Sequence, residues 1–462
     1  MNCKIYVKDE VWAVISGLIP EHVNVLWNEF GPEIPGARFM PLVVMGRWDG
    51  RIRFFEKTGK TYVRLLSKII PYLELWGYEI EIEDDRVYFP SPEAITALPF
   101  PNQNIQLRPY QVQSVNLAID ANGGFIIAGT GAGKSLMTSA LSHAYSSMGY
   151  NAITIVPSAD LVEQTAEWYR TVGLDTGVFS GDEKDFRHSN VVATWQSIQN
   201  NMQILEIFDC LIWDEAHGCK ASIAQKIINE AAAHMPFKFG VTGTFPKDTS
   251  DKYSLHSAIG DILIEIPAKW LIENGYLAEV AIEKICIKQK DKEEFPDYAA
   301  ERAYLSKNEH RMDLIADIII DKCNKHGNTL VLVNSVPFGE KLASLIEGAV
   351  FLYGGSKKEE RKEHYDMFED SNDKIVIATS GIASTGISID RVFCLIFVDA
   401  GKSFIKTIQS VGRGTRLALD KFKVFVVDIF ADLKWSKKHS RERDKWYKEA
   451  DYPIVDKHNL KI

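Results

Sequence analysis

Short apolar runs separated by longer mixed segments recur along most of the chain. Between residues 105 and 268 these runs are continuously apolar or β-branched, a pattern typical of strands covered on both faces of a parallel sheet. The segments between them suit right-handed helical crossovers. The predicted strands are Gly124–Ile127, Ala152–Val156, Val191–Thr194, Leu211–Trp213 and Phe239–Thr242.

A second alternating set extends from about residue 312 to 430. We therefore expect an α/β protein with two tandem lobes, the first over residues 96–268 and the second over 269–430. A helical stretch at 297–321 is interpreted as a structural connection before the second set. The strands predicted there are Thr329–Val333, Val350–Tyr353, Ile375–Ala378, Cys394–Val398 and Val424–Asp428.

The two ends of the chain depart from this alternation. Residues 1–95 mix strand-like runs with a helical stretch from Leu66 to Trp76, which Gly77 could end, and predict a small α+β accessory domain. The strand-like runs are Ile52–Phe55 and Tyr62–Leu66. Residues 431–462 are interpreted as a basic C-terminal helical tail that packs its aromatic side chains on the second lobe, with phosphate contact as a secondary role.

Composition narrows the class of protein. A chain of 462 residues is too long for one hydrophobic core. Its net charge of −9 argues against a general polyanion binder, although the average can hide basic patches. No apolar run approaches the ~18 residues that span a bilayer. The six scattered cysteines fit a reducing compartment, so we expect a cytoplasmic protein, in the host cell if it is phage-encoded.

The first motif with a candidate chemical role directly follows the predicted strand Gly124–Ile127. Residues 128–135 read Ala-Gly-Thr-Gly-Ala-Gly-Lys-Ser, a glycine-rich loop that opens a helix. Its backbone N–H groups can wrap phosphates, Lys134 can reach the β and γ phosphates, and Ser135 can hold Mg²⁺. The loop therefore predicts a nucleoside triphosphate site. The residues expected to contact the nucleotide are Gly129, Thr130, Gly131, Ala132, Gly133, Lys134 and Ser135.

A second motif, Asp214-Glu215-Ala216-His217, follows the strand Leu211–Trp213. In a phosphate-loop fold, a carboxylate at the end of a strand can bind Mg²⁺, which assigns Asp214 to the metal. Glu215 can then orient and deprotonate the attacking water. His217 is placed beside it among the catalytic candidates.

A third motif, residues 409–416, reads Gln-Ser-Val-Gly-Arg-Gly-Thr-Arg. Arg413 and Arg416 stand three apart and share one face of a helix. An arginine facing the triphosphate would neutralise charge in the transition state, an effect worth roughly 10³–10⁵ in rate. Alone, the motif could equally be a basic helix end, but the two earlier motifs favour catalysis.

With these motifs in order, residues 105–430 resemble superfamily 2 helicases and translocases. The resemblance implies two RecA-like lobes, with Gln111 reading the adenine base and Gly386 near the nucleotide. It also implies that Thr242–Thr244 couples hydrolysis to movement and that Gln409 acts with the two arginines. Nucleic-acid contacts are implied for Ser158, Thr194, Gln196 and Thr379.

A basic stretch sets the accessory domain apart. Between Gly46 and Lys68 the chain has seven basic residues against two acidic ones. Basic groups with an aromatic side chain suit phosphate and base contacts, although a solvated face with the tryptophan in the core is the alternative. The string from Gly46 to Arg53 also resembles phage repair helicases of the UvsW type. The candidate DNA contacts are Arg47, Trp48, Arg51 and Arg53.

Together these observations predict an ATP-driven DNA helicase or translocase that uses ATP and Mg²⁺. The resemblance implies branched DNA, forks or four-way junctions, as the substrate in recombination, repair or replication, and 3′-to-5′ polarity. We expect a monomer. A duplex translocase or an RNA-directed DEAH-type helicase would use the same engine. A scaffold that ATP merely switches is a third possibility, against which Glu215 and the paired arginines argue.

Overall fold

The structure is a computed structural model that describes residues 1–100, 105–181, 183–290, 293–356, 363–364, 367–368, 371–379, 391–401, 423–449 and 452–462. The chain forms two compact units. The first comprises Met1–Gly129 and Gly133–Ile266, and the second comprises Pro267–Ile462 with Thr130–Ala132. None of the helices in the described ranges combines the length and the apolar content needed to cross a lipid bilayer.

The accessory region opens the first unit with a small mixed sheet and three helices. The sheet has the order β3-β2-β1-β4, in which β1 runs antiparallel to β2 and parallel to β4. Its strands are β1 (Asn2–Val7), β2 (Trp12–Ser16), β3 (Lys60–Tyr62) and β4 (Glu79–Asp84). Its helices are α1 (Pro20–Glu29), α2 (Pro41–Val44) and α3 (Leu66–Leu75).

Three local predictions in this region had different outcomes. The strand predicted at Tyr62–Leu66 is wrong, because β3 ends at Tyr62 and Val63–Leu65 form a short 3₁₀ helix. The helix from Leu66 is confirmed, and Gly77 follows its end with a φ of 74° that favours glycine. The strand predicted at Ile52–Phe55 is wrong, because the only pairing within that run is an isolated antiparallel bridge between Phe55 and Thr61. Phe54 and Phe55 are both buried, so the segment lacks the alternation of a strand with one solvated face.

The first lobe is an eight-stranded sheet in the order β12-β5-β11-β10-β6-β9-β7-β8. All of its strand pairs are parallel except β7 with β8. Its strands are β5 (Gly123–Ala128), β6 (Ala152–Val156), β7 (Thr176–Ser180), β8 (Glu183–Lys184), β9 (Asn190–Thr194), β10 (Cys210–Asp214), β11 (Phe237–Thr242) and β12 (Ile262–Ile266). Its helices are α4 (Pro109–Ala121), α5 (Lys134–Ser147), α6 (Ala159–Thr171), α7 (Trp195–Gln199), α8 (Ser222–Lys226) and α9 (Thr249–Ala258).

The second lobe is a parallel seven-stranded sheet in the order β15-β16-β14-β17-β18-β13-β19. Its strands are β13 (Glu279–Lys288), β14 (Thr329–Val333), β15 (Val350–Leu352), β16 (Ile375–Thr379), β17 (Cys394–Val398), β18 (Lys423–Ala431) and β19 (Ile454–Lys461). Its helices include α10 (Ala268–Glu273), α11 (Tyr298–Leu305), α12 (Glu309–His326), α13 (Val336–Ser344) and α14 (Lys434–Glu449). The predicted α/β class with two parallel-sheet lobes is confirmed.

The stretch beyond residue 431 contains more than the predicted helix. Helix α14 packs on the second sheet through Arg443, whose guanidinium donates to both carboxylate oxygens of buried Asp428 at 3.0 and 2.7 Å. Strand β19 then pairs in parallel with β13 and completes the sheet. The stretch therefore contributes both a helix and an edge strand to the second lobe. The residue limits proposed for the four domains stay predictions.

Polar contacts fix the accessory region to the first lobe. Arg64 Nη2 donates to the carbonyl oxygens of Asn122, at 3.3 Å, and Pro236, at 3.0 Å. These carbonyls immediately precede β5 and β11. Lys68 Nζ lies 2.7 Å from Asp261 Oδ1. Part of the basic excess noted in the sequence therefore holds the two regions together.

An aromatic contact accompanies these polar ones. Tyr253 of α9 packs against Phe30 and Phe54 of the accessory core, with ring centroids 5.3 and 5.7 Å apart. The accessory region and the first lobe thus share apolar packing, in agreement with their place in one compact unit.

We expect Arg64→Met to lower the free energy of unfolding by about 1.5–3 kcal/mol, because it removes charged hydrogen bonds and leaves two carbonyl groups without their donor. Urea denaturation of the full-length protein measures this change. Arg47→Met is the matched control: Arg47 is exposed, so its loss should stay within about 0.5 kcal/mol of wild type. Equal stability of the two variants would show that Arg64 contributes nothing to docking.

Candidate ATP site and nucleic-acid contacts

The phosphate loop joins the end of β5 to the start of α5. Gly131 and Gly133 have φ angles of 84° and 78°, in the left-handed region that glycine adopts at little cost. Gly133 is the N-cap of α5, and Lys134 is the first residue of that helix. The loop therefore places its backbone at a helix N-terminus, where N–H groups and the helix dipole favour anions.

Gln111 lies directly beside this loop. Its side chain is buried on α4, and its Oε1 accepts a hydrogen bond from the backbone nitrogen of Arg108 at 2.9 Å. A Cβ atom added to Gly133 would clash with the Gln111 side-chain nitrogen. The structure thus brings together the residue implied to read adenine and the loop expected to hold the phosphates.

Lys134 also lies near the acidic motif. Its Nζ is 4.0 Å from Glu215 Oε1 and donates to the carbonyl oxygen of Ala128 at 3.4 Å. Asp214 is the last residue of β10, and its Oδ1 accepts from the backbone nitrogen of Glu215 at 2.9 Å. Because β5, β11 and β10 are parallel neighbours, their carboxyl ends meet at one edge and bring these side chains together.

The pKa values of the two carboxylates shift in opposite directions. Burial raises the pKa of Asp214, the nearby charge of Glu215 raises it further, and Lys134 opposes both. For Glu215, burial again favours the neutral form, but the hydrogen bond with His217 and the charge of Lys134 outweigh it and lower the pKa. Glu215 is therefore ionised at neutral pH and able to accept a proton from water.

His217 connects the acidic motif to the neighbouring strand. Its Nδ1 lies 3.4 Å from Glu215 Oε2 and 3.1 Å from Thr242 Oγ1 at the end of β11. The Thr242 hydroxyl in turn donates to the carbonyl oxygen of Thr244 at 3.0 Å. Glu215 has a left-handed φ of 51°, a conformation that costs a non-glycine residue roughly 1–2 kcal/mol. The chain thus holds the carboxylate in a defined direction against backbone strain.

The donor set fits Mg²⁺. This ion usually takes one or two carboxylates and fills the rest of its shell with water and substrate phosphates. Asp214 supplies a half-buried carboxylate and Ser135 a hydroxyl. The described part of the chain has no cluster of three or more His, Cys, Asp or Glu side chains that could hold a metal.

The predicted nucleic-acid contacts of the first lobe follow two adjacent parallel strands. Ser158 caps α6 after β6, and Thr194 caps α7 after β9. The Thr194 hydroxyl accepts from the backbone nitrogen of Ser197 at 3.3 Å, while Gln196 is exposed. Thr379 is the last residue of β16 in the second unit. The three first-lobe residues therefore share one edge of their sheet.

Most of the basic candidates in the accessory region are used within it. Arg51 Nη1 donates to the carbonyl oxygen of Gly31 at 2.7 Å. Arg53 donates to the carbonyl oxygen of Trp27 and lies 3.5 Å from the centroid of that indole ring. Trp48 is half-buried, whereas Arg47 is exposed. Sequence reasoning could not find these internal partners, and DNA contact by the four candidates stays a prediction.

The remaining candidates, Gly386, Gln409, Arg413 and Arg416, lie outside the described residues. Their roles stay predictions that rest on the resemblance.

Comparisons with known proteins agree with this architecture. Residues 104–247 match the family described as Type III restriction enzyme, res subunit, and residues 310–418 match the helicase conserved C-terminal domain. The chain is 25% identical to the ATP-dependent DNA helicase uvsW of Enterobacteria phage T4, over 93% of this chain and 90% of that protein. It is 26% identical to a putative DNA 3′-5′ helicase, Rad25, of Halobacterium salinarum, over 68% of this chain but only 52% of that protein.

A solved structure shows the same fold. The fragment of a putative HsdR subunit of a type I restriction enzyme from Vibrio vulnificus superposes with a TM-score of 0.58 at 18% identity. The match covers 80% of this chain and 71% of the fragment.

Fold, site and family matches together identify an ATP-driven helicase of superfamily 2. Within that class, the chain is similar along nearly its whole length to the phage helicase uvsW. The ATP-dependent activity and the UvsW-type resemblance expected from the sequence are confirmed.

We expect Gly133→Ala to weaken ATP binding about tenfold or more, because the added methyl group meets Gln111 and the φ of 78° strains an alanine. Calorimetric titration of the full-length protein with a non-hydrolysable ATP analogue and Mg²⁺ measures the affinity.

Gly149→Ala is the matched control for this prediction. Gly149 has a similar φ of 86°, and nothing lies within 4 Å of its added methyl group. The variant should lose some stability and keep its ATP affinity. Equal losses of affinity in both variants would contradict a specific contact between Gln111 and the loop.

Proposed function

We propose that the protein unwinds or branch-migrates forked and four-way-junction DNA in recombination, repair or replication. The observation that carries the proposal is the grouping of Lys134, Asp214 and ionised Glu215 at the edge of a helicase lobe. The similarity to a phage ATP-dependent DNA helicase, over 93% of the chain, supports DNA as the track. A monomer that acts in the cytoplasm with 3′-to-5′ polarity completes the proposal.

The first lobe would perform hydrolysis with its own side chains. Lys134 would neutralise the terminal phosphates, Ser135 and Asp214 would hold Mg²⁺, and Glu215 would take the proton of the attacking water. The bound Mg²⁺ would supply charge stabilisation for the transferred phosphoryl group. His217 would respond to the protonation state of Glu215. Its contact with Thr242, 3.1 Å from Nδ1 to Oγ1, would transmit the change to the end of β11.

The accessory surface supports a branched substrate. Phe39, Leu42, Val44 and Met45 are exposed on and beside α2, and Phe39 is 74% exposed. The guanidinium of Arg38 lies 4.7 Å from the centroid of the Phe39 ring. Exposed apolar side chains can stack on or wedge between unpaired bases, and neighbouring arginines can contact phosphates. Such a ridge would suit the end of a base-paired arm at a branch point.

We expect ATP turnover and strand displacement to be highest on DNA forks and four-way junctions, compared with single strands, blunt duplexes and the same structures in RNA. Lys134→Ala should lower turnover by on the order of 10²–10³ and leave DNA affinity unchanged, because it removes a charge aimed at the phosphates.

Lys226→Ala, at an exposed lysine of α8, provides the control and should behave as wild type. Two results would refute the motor assignment: turnover that ignores DNA, or normal turnover in Lys134→Ala. Higher stimulation by RNA would favour an RNA-directed helicase.

A further inference from the structure

A basic pocket lies at the edge of the second sheet where β13 and β19 end beside α14. Its volume is about 580 Å³, enough for several phosphate groups. Gln289 and Asp432 also line it, and the Asp432 carboxylate accepts from the backbone nitrogen of Gln289 at 2.8 Å. Four lysines dominate the lining: Lys288, Lys290, Lys437 and Lys461.

The sheet register brings two of these lysines side by side. Lys288 and Lys461 are partners in the parallel pairing of β13 with β19. Like charges at facing positions of neighbouring strands are destabilising. The arrangement therefore favours an anionic partner over an unliganded pocket.

The pocket lysines also differ from other lysines of the same lobe. Lys322 lies 2.8 Å from Glu283, and Lys341 lies 3.0 Å from Glu309. Within the described ranges, no carboxylate lies within 4.0 Å of the Nζ atoms of the four pocket lysines. Their positive charge is available to a ligand.

A buried acceptor gives independent evidence for a missing ligand. Gln289 is only 5% exposed, and its Oε1 has no hydrogen-bond partner among the described residues. Its Nε2 donates to the carbonyl oxygen of Ile287 at 3.1 Å, which fixes the amide. A ligand with N–H or O–H groups as well as negative charge would satisfy both this oxygen and the lysines.

The place of the pocket in the fold favours a nucleic acid. All strand pairs of the second sheet are parallel, so β13 and β19 end at the same edge as β16, whose last residue is the predicted nucleic-acid contact Thr379. Strand β13 is four positions from β16 in the sheet order. At about 4.8 Å per strand the separation is about 19 Å, roughly half of a ~34 Å turn of B-form DNA.

We propose that this pocket, lined by Lys288, Lys290, Lys437 and Lys461, binds the phosphate backbone of a DNA arm. The proposal rests on the proposed function and adds a second DNA contact to the one predicted at Thr379. DNA supplies both phosphate oxyanions for the lysines and amino groups that can donate to Gln289.

The first test measures how salt affects the binding of a labelled DNA fork by the full-length protein. Each lost phosphate contact lowers the slope of log affinity against log salt by about 0.9 on duplex and about 0.7 on a single strand. The triple variant Lys288→Gln, Lys437→Gln and Lys461→Gln should therefore reduce the slope by about 2–3. A matched triple variant, Lys307→Gln, Lys325→Gln and Lys438→Gln, removes the same charge from exposed positions and should keep the wild-type slope.

A charge reversal separates ligand binding from stability. Lys461→Glu places a carboxylate beside Lys288, so the melting temperature should stay the same or rise while DNA affinity falls. A merely structural cluster predicts that stability and DNA affinity change in the same direction, and that result would overturn the proposal.

A direct readout uses amine acylation followed by mass spectrometry. Fork DNA should protect the four pocket lysines and leave Lys325 and Lys438 reactive. Protection by tripolyphosphate or polyglutamate, but not by DNA, would identify a small-anion or acidic-peptide site and overturn the proposal.

The experiments distinguish a wrong pocket proposal from a wrong proposed function. A wild-type protein without salt-dependent DNA binding and without DNA-stimulated turnover would refute the proposed function. A wild type with both properties, together with an unchanged slope in the pocket variant, would overturn the pocket alone.

Discussion

The site depends on the ammonium group of Lys134, which lies beside two half-buried carboxylates. Asp214 and Glu215 are consecutive in the chain, and burial alone would favour their neutral forms. Lys134 offsets this cost for both, and His217 adds a hydrogen bond for Glu215. The outcome is asymmetric: the pKa of Glu215 is lowered, so this carboxylate stays ionised, whereas the pKa of Asp214 is raised and a bound cation would favour its ionised form. Two neighbouring acidic residues thereby acquire different chemical roles from their surroundings alone.

Sequence patterns predicted the central strands of both sheets because those strands are covered on both faces. They did not predict β13, whose Glu283 and Lys284 break the apolar run. The fold accommodates these charges through remote partners: Lys322 lies 2.8 Å from Glu283, and Ser440 and Asp444 of α14 accept from Lys284. Strand β19 is mostly exposed at a sheet edge, so its polar sequence carries no signal of burial.

The candidate site was predictable as far as its parts are local. The phosphate loop and the acidic motif are each contiguous, and each follows a strand that the apolar pattern reveals. The contact between His217 and Thr242 depends on β11 lying between β5 and β10, an order that no stretch of sequence specifies. Counts of basic residues along the sequence were the least reliable predictor of nucleic-acid contacts. Arg51, Arg53 and Arg64 have internal partners, whereas Lys288 and Lys461 meet only through sheet register.

The docking of the accessory region limits how freely it can be exchanged. Arg64 holds the carbonyl groups that precede β5 and β11, the two strands whose far ends carry the phosphate loop and Thr242. A chimaera that grafts this region onto another helicase would need matching carbonyl positions, a counterpart of Asp261 and an aromatic residue in the place of Tyr253. Shortening the chain to its two lobes would bare that aromatic ring to water. The accessory region is therefore an integral part of the first lobe. Evolution could replace it only together with the lobe surface that it contacts.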